Sequence, residues 1–318
     1  MLNAIQLADY HPDTMGWYDD VLTGLQKSHK TLPPKLFYDE RGSRLFDAIT
    51  EQPEYYPTRT EQAILDARID EIAALLGDDV LLVEYGSGSS QKTRTLLSHL
   101  PNLAGYVPID ISRDHLQQTA VSLATAYPHL RIMPIVADYE ADFQLPAPDR
   151  IAAKVVAYFP GSTIGNFHSH EAVAFLKRMR QVCGDVCGLL IGVDLKKDPQ
   201  RLHDAYNDSA GITADFNLNM LARLNRELGA TFDLNAFRHV AFYNRDAGRI
   251  EMHLQSIRSQ TVHVNGLTVY FDAGECIWTE SSYKYTIPEF AQLAAQAGFR
   301  PVQAWTDDEN LFSVQYFE

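Results

Sequence analysis

The stretch Val80-Leu81-Leu82-Val83-Glu84-Tyr85-Gly86-Ser87-Gly88 restricts the possible folds more than any other part of the chain. An apolar run with branched residues and no polar alternation must be covered on both faces, the condition of a strand inside a parallel sheet. It ends in an acid and two glycines, and a helical pattern begins near Lys92. Strand, tight turn and helix in that order aim a helix N-terminus at a ligand. A dinucleotide fold would place a third glycine where this chain has Gln91. Glu84 at the strand tip suits S-adenosylmethionine (SAM) instead, whose aminocarboxypropyl arm carries an amine for a carboxylate to hold.

Strands and helices then alternate. Residues 104–109 read as a strand ending at Asp110, 116–127 as a helix, and 131–137 as a strand ending at Asp138. Residues 155–159 form a strand that leads into Gly161-Ser162-Thr163-Ile164-Gly165-Asn166; a helix starts at Ser169, and 188–193 is a further buried strand. Such alternation predicts a doubly wound parallel α/β sheet with right-handed crossovers. The rhythm breaks after Asp194. Residues 199–229 read as helical, and 249–264 and 267–271 as antiparallel strands joined at Asn265-Gly266. A helix at 288–297 and a hairpin of 301–306 with 311–317 close the chain. That hairpin inserts a last strand antiparallel to the rest, the usual ending of the common methyltransferase fold. The expected organisation is a SAM-binding domain of residues 60–195 and 286–318, and a smaller α+β substrate domain of 1–59 and 196–285.

With 41 acidic against 27 basic residues, the net charge of −14 argues against nucleic acid and anionic membranes as partners. No run approaches the roughly twenty apolar residues of a membrane helix, and Met1 to Tyr18 has no signal-peptide pattern. A cytoplasmic monomer acting on a small molecule is expected. Cys183 and Cys187 have no third and fourth ligand nearby to complete a zinc site, and with Cys276 they read as reduced structural thiols. There is no P-loop, H-E-x-x-H or G-x-S-x-G either, so neither a metal nor a serine hydrolase mechanism is expected.

The strand ends supply the candidate donor site. Gly86 and Gly88 admit a close backbone approach, and Asp110 follows Gly88 by 22 positions, where a carboxylate can take both ribose hydroxyls. Asp138-Tyr139 ends the next strand, with an acid for the adenine amino group and a ring to stack on the base. Each acid alone could merely solvate a loop; their order at successive strand ends reads as a site. For the acceptor, Phe37, Tyr38, Tyr55 and Tyr56 offer ring faces and hydroxyls to an amine that becomes cationic. Asn166 follows the Gly-rich loop, and Glu280, Ser281 and Ser282 follow a strand of the insertion.

Phe37-Tyr38-Asp39, Pro53-Glu54-Tyr55-Tyr56-Pro57-Thr58-Arg59, Glu84-x-Gly86-Ser87-Gly88, Gly161 to Asn166, Asn225-Arg226-Glu227-Leu228, Arg249-Ile250-Glu251-Met252 and Thr279-Glu280-x-Ser282 together resemble one family. It is the L-histidine Nα-methyltransferases of ergothioneine biosynthesis. The likeness runs from about Leu32 to the C-terminus. It implies a class I SAM-dependent methyltransferase that trimethylates the α-amine of histidine to hercynine, with SAM as methyl donor and no metal. By the same resemblance, Gly86, Lys92, Asp110, Asp138 and Tyr139 would hold the donor. Tyr55, Asn166 and Tyr206 would hold the amine and carboxylate of histidine and of its mono- and dimethyl intermediates. Glu280 and Ser282 would grip the imidazole, with Ser281 between them, Met252 lining the wall and Tyr38 facing the amine. Tyr38 and Asn166 are thus the candidate catalytic residues. Two departures from the family are Tyr139, where Phe is frequent, and Ser89, where Thr is common. The alternatives are a methyltransferase of another amino acid or small amine, and a SAM-binding regulator without catalysis.

Overall fold

A computed structural model of the chain describes residues 7–10, 16–88, 91–139 and 141–318. Its elements run β1 (Ala8–Asp9), α1 (Gly16–Gln26), β2 (Lys30–Thr31), α2 (Glu40–Thr50), α3 (Tyr56–Leu76), β3 (Val80–Tyr85), α4 (Gln91–His99), β4 (Gly105–Asp110), α5 (Arg113–Ala126) and β5 (Ile135–Val136). They continue through β6 (Lys154–Phe159), α6 (Ser169–Cys183), β7 (Gly188–Asp194), α7 (Pro199–Ala205), α8 (Ile212–Leu228), β8 (Phe237–Asn244), β9 (Arg249–Ser256), β10 (Gln260–Val264), β11 (Leu267–Phe271), β12 (Cys276–Tyr283), α9 (Ile287–Gln296), β13 (Pro301–Thr306) and β14 (Phe312–Phe317). The chain divides into two units: Met1–Pro12, Pro57–Lys196 and Tyr285–Glu318 form one, Asp13–Tyr56 and Lys197–Lys284 the other.

The first unit is built on an eight-stranded sheet in the order β1-β5-β4-β3-β6-β7-β14-β13. Every neighbour pair from β1 to β7 is parallel, whereas β14 runs antiparallel to both β7 and β13. The closing hairpin thus inserts its second strand between the parallel set and its own first strand. Val80, Leu82, Tyr106, Val156 and Tyr158 share a buried core with Ile64, Ile72, Leu96, Leu97 and Leu123 of α3, α4 and α5. Tyr85, Phe159 and Phe175 of α6 pack ring against ring, 5.0 to 6.4 Å between centroids. Strand alternation sends residues 80, 82 and 84 toward the α3–α5 layer, a point that decides the role of Glu84. The segment 1–59, read as one piece, is divided. Ala8 and Tyr10 donate backbone hydrogen bonds of 3.0 and 2.9 Å to Pro134 and Val136, so β1 extends the large sheet next to β5. Among the described residues, no helix is long and apolar enough to cross a membrane.

The second unit has a four-stranded sheet, β2-β12-β9-β8, and a separate ribbon, β10-β11. The stretch expected as one strand over 249–264 breaks between β9 and β10, and β8 pairs along all of β9. The helical stretch 199–229 breaks as well. Asp208 accepts backbone hydrogen bonds of 2.8 Å from Ile212 and Thr213, and Gly211 at φ 75° opens α8. Two of the family-like motifs meet here for structural reasons. Asp39 caps α2 through the Gly42 amide at 2.7 Å and pairs with Arg226 of α8 at 2.6 Å. Burial pushes the Asp39 carboxyl up, but the Gly42 amide, Arg226 and Asn219 outweigh it and hold the pKa below its usual value. A side chain at Gly42 would overlap the Phe37 carbonyl, so glycine is obligatory there.

Candidate active site

The C-terminal ends of β3, β4 and β5 lie side by side because those strands are neighbours. The turn after β3 is held by Gly86 and Ser87, whose amides both donate to the Ile109 carbonyl at 2.9 and 3.2 Å. Gly86 and Gly88 adopt φ of 71° and 45°, the left-handed region that favours glycine. Asp110, half-buried at the β4 tip, accepts from the Gly88 amide at 3.1 Å and the Ser112 amide at 2.9 Å. Burial pushes its carboxyl above the usual carboxylate value, against these two amides. Asp138 and Tyr139 follow β5, and the Tyr139 ring packs against Phe175 and Phe159 at 5.6 and 6.0 Å while remaining partly exposed. A Cβ added to Gly86 would find Tyr139 Cε1 at 3.9 Å and nothing closer, so the turn backbone is open on that side. Gly86, Asp110, Asp138 and Tyr139 are therefore gathered at one sheet edge. Ser89 lies outside the described residues.

Glu84 does not join them. It is 1% exposed, accepts from the Thr93 hydroxyl shared between its two carboxylate oxygens (2.7 Å to each) and from Tyr106, and is thereby turned into the α4 side of the core. The expectation that it anchors the donor's amine is corrected: at an even position of β3 the side chain faces the helix layer, away from solvent. Burial raises its pKa to about 7 against those hydrogen bonds.

Lys92, on the first turns of α4, pairs with the carboxylate of Glu61, a buried residue of α3. Glu61 also accepts from the Gly161 amide at 3.1 and 2.9 Å, so one carboxylate braces both Lys92 and the turn after β6. That turn is further held by Ser162, at φ 59°, whose hydroxyl accepts from the Asp194 amide at 2.9 Å. Asn166 ends the short 3-10 helix Thr163–Asn166 that follows, and its position is inherited from these braces. Glu61 was not legible in the sequence because a glutamate on an amphipathic helix reads as solvated surface.

In the second unit a chain of rings leads from Tyr38 to Tyr206. Tyr38 meets Phe46 edge-on at 6.1 Å, Phe46 meets Tyr55 at 6.4 Å, and Tyr55 meets Tyr206 at 6.4 Å. Phe216 of α8 stacks on Phe37 at 4.4 Å and closes the cluster. Tyr206 is fixed from both ends. Its carbonyl lies 2.9 Å from His239 Nε2, whose Nδ1 is 2.9 Å from the Asn217 amide nitrogen, so Nε2 carries the proton. Burial lowers the His239 pKa, against the hydrogen bond to the Tyr206 carbonyl. The Tyr206 hydroxyl donates to Ser282 Oγ at 2.8 Å.

Glu280 and Ser282 lie within β12 rather than after a strand. Their cross-strand partners on β9 are Met252 and Ile250, which share their face of the sheet. Ser281, opposite Glu251, points to the other face. The side chains of Glu280, Ser282, Met252 and Tyr206 are thus brought to one wall, and that of Ser281 is not. Burial pushes Glu280 up to about 7, with Lys284 pulling the other way. Among the described residues no group of three or more His, Cys, Asp or Glu side chains is arranged to hold a metal ion. Cys183 is buried 3.6 Å from the Tyr85 hydroxyl, and burial pushes its thiol up to about 12.

A parallel sheet with one antiparallel strand set between its last two members, glycines after its central strand and acids at the next two tips defines a class I SAM-dependent methyltransferase. The model of the histidine-specific, SAM-dependent methyltransferase family matches residues 17–318, and the chain belongs to that family. A histidine N-alpha-methyltransferase of Mycobacterium tuberculosis is 44% identical over 301 residues, covering 93% of this chain and 92% of that protein. One of Mycolicibacterium smegmatis is 43% identical over the same shares of both chains. Ergothioneine biosynthesis protein 1 of Neurospora crassa is 33% identical over 284 residues, 87% of this chain but only 32% of that protein.

Proposed function

We propose that this enzyme transfers methyl groups from SAM to the α-amine of L-histidine, three in succession, to give hercynine for ergothioneine biosynthesis. The observation that carries the reading is the wall of β12 and β9, where a buried carboxylate (Glu280) and a hydroxyl (Ser282) stand beside Tyr206, paired across the strands with the apolar side chains of Met252 and Ile250. Such a surface suits a flat ring with two polar edge atoms.

The donor residues fit SAM. Asp110 suits the ribose hydroxyls, Asp138 the adenine amino group, Tyr139 the face of the base, and the open backbone at Gly86 with Lys92 suits the amino-acid arm. When bound, SAM supplies an electrophilic methyl on a sulfonium, already a strong leaving group. The chain's own work is alignment and exclusion of water. The acceptor must arrive as a neutral amine, because an ammonium has no lone pair. By the resemblance, the groups assigned to orienting that lone pair are Asn166 and Tyr38, and those assigned to the amine and carboxylate include Tyr55 and Tyr206. The displaced proton passes to water or a tyrosine oxygen. Each methylation removes an N–H and adds bulk, and the last product is a fixed cation. Tyrosine faces retain such a cation without hydrogen bonds, at about 0.5–2 kcal/mol per good contact.

Mass spectrometry of the purified protein with SAM and each common amino acid tests this directly. The expected product is formed from histidine alone and is heavier by three methyl groups. Turnover of another amine instead would move the acceptor assignment, and donor binding with no product from any amino acid would leave a regulator.

A further inference from the structure

Lys284 is 2% exposed, immediately after β12, at the third place of the alternation Glu280-x-Ser282-x-Lys284. An ammonium in such a position must be compensated and hydrogen-bonded. Its Nζ donates to Ser282 Oγ at 2.8 Å and to Tyr206 Oη at 3.0 Å, and lies 4.9 Å from the centre of the Tyr206 ring. Tyr206 in turn donates to Ser282. An ammonium has protons to give and no lone pair to offer. Ser282 therefore accepts two hydrogen bonds, one from Lys284 and one from Tyr206, which fill both lone pairs of its oxygen. The hydroxyl proton of Ser282 has to leave this triangle and point at a third group.

We infer that Lys284 is a positioning residue for acceptor selectivity: it fixes Ser282 as an outward hydrogen-bond donor, so that Glu280 and Ser282 together read a ring with one N–H and one bare nitrogen. This rests on the reading of Glu280 and Ser282 as the imidazole contacts. Glu280 takes the N–H, and Ser282 gives its proton to the unprotonated nitrogen. Without the cation, Ser282 is free to donate back to Tyr206, and the bare nitrogen then faces an oxygen lone pair.

The test compares histidine with β-(2-thienyl)alanine, whose ring is similar in size but has no nitrogen, in wild type, S282A, K284M, the double variant and K284R. Binding of S-adenosylhomocysteine, measured by calorimetry, confirms that each variant is folded. K284M is expected to lower the histidine-to-thienylalanine ratio of kcat/KM about 10- to 100-fold, mainly through KM for histidine. S282A should do the same, the double variant should be no worse than either single, and K284R should keep most of the ratio. Equal losses for both acceptors in K284M, or losses that multiply in the double variant, would overturn the role of Lys284. If K284M does not fold, K284R decides: a folded K284R with the ratio of S282A overturns the inference. An S282A protein with an unchanged ratio would instead remove the imidazole assignment beneath it.

Discussion

Glu84 and Glu280 are two buried glutamates on strands, and only their surroundings separate them. Glu84 is satisfied from within by Thr93 and Tyr106. Glu280 stands on a wall with Ser282, Met252 and Lys284, and is the residue expected to tell histidine from apolar amino acids. Glu280→Ala should lower kcat/KM for histidine by two to three orders of magnitude, on the order of 3–4 kcal/mol. The dissociation constant for S-adenosylhomocysteine should stay within about twofold; equal losses in both would contradict the assignment. Asp110→Ala should reverse the pattern, weakening donor binding about 10- to 100-fold with histidine KM at saturating donor nearly unchanged. Both glutamates follow a run of strand-forming residues, and which face of its strand each occupies is decided only by what packs against it.

Among the elements, the loop from Pro160 to Asn166 is the one whose placement matters most to the proposed chemistry. It is held by Glu61, and Glu61 is accommodated by Gly192 on β7, where any Cβ would overlap its carboxylate. Gly192→Ala is therefore expected to destabilise the protein by about 1–3 kcal/mol and to lower kcat as the loop shifts. A thermal melt together with the rate at saturating substrates checks this; an unchanged kcat would dissociate the brace from catalysis. The last helix is more local. Thr286 accepts from the Glu289 amide at 3.3 Å while Glu289 accepts from the Thr286 amide at 2.7 Å, a reciprocal cap. Thr286→Ala should cost about 1 kcal/mol in urea unfolding and leave both Michaelis constants alone. The helix itself was readable in the sequence, at 288–297. The break between β9 and β10 was not, because 249–264 has strand-forming residues throughout and only the pairing partners of each half differ.

For the molecule as a whole, pH acts in two opposed ways. Catalysis needs the unprotonated α-amine, so kcat/KM should rise about tenfold per pH unit below the amine's pKa and then level off; a flat profile from neutral to alkaline pH would exclude the neutral-amine mechanism. Stability should run the other way through Glu84. Its folded pKa of about 7 lies above the ordinary 4.5, so the folded state binds the proton more tightly. Its stabilisation is complete below pH 4.5 and is lost as pH rises through 7. Glu84→Gln should remove up to about 3 kcal/mol of the difference between unfolding at pH 5 and at pH 8, and an unchanged slope would show that another group is responsible.

The alternation that makes the large sheet parallel, its closing hairpin and the acids at the strand tips could be read along the chain, because each is specified by residues close together in it. A buried run, a glycine turn and a helix cap act over a few positions, and the family-like motifs preserve them. The bracing of Lys92 and Gly161 by Glu61, the inward turn of Glu84, the division of residues 280–282 between two faces and the clasp of Lys284 on Tyr206 and Ser282 were legible only in the folded chain. Each depends on groups 31 to 100 positions apart, or on which face of a strand meets solvent and which meets a helix. Local propensity carries no information about that choice, since burial is a property of what packs opposite a residue.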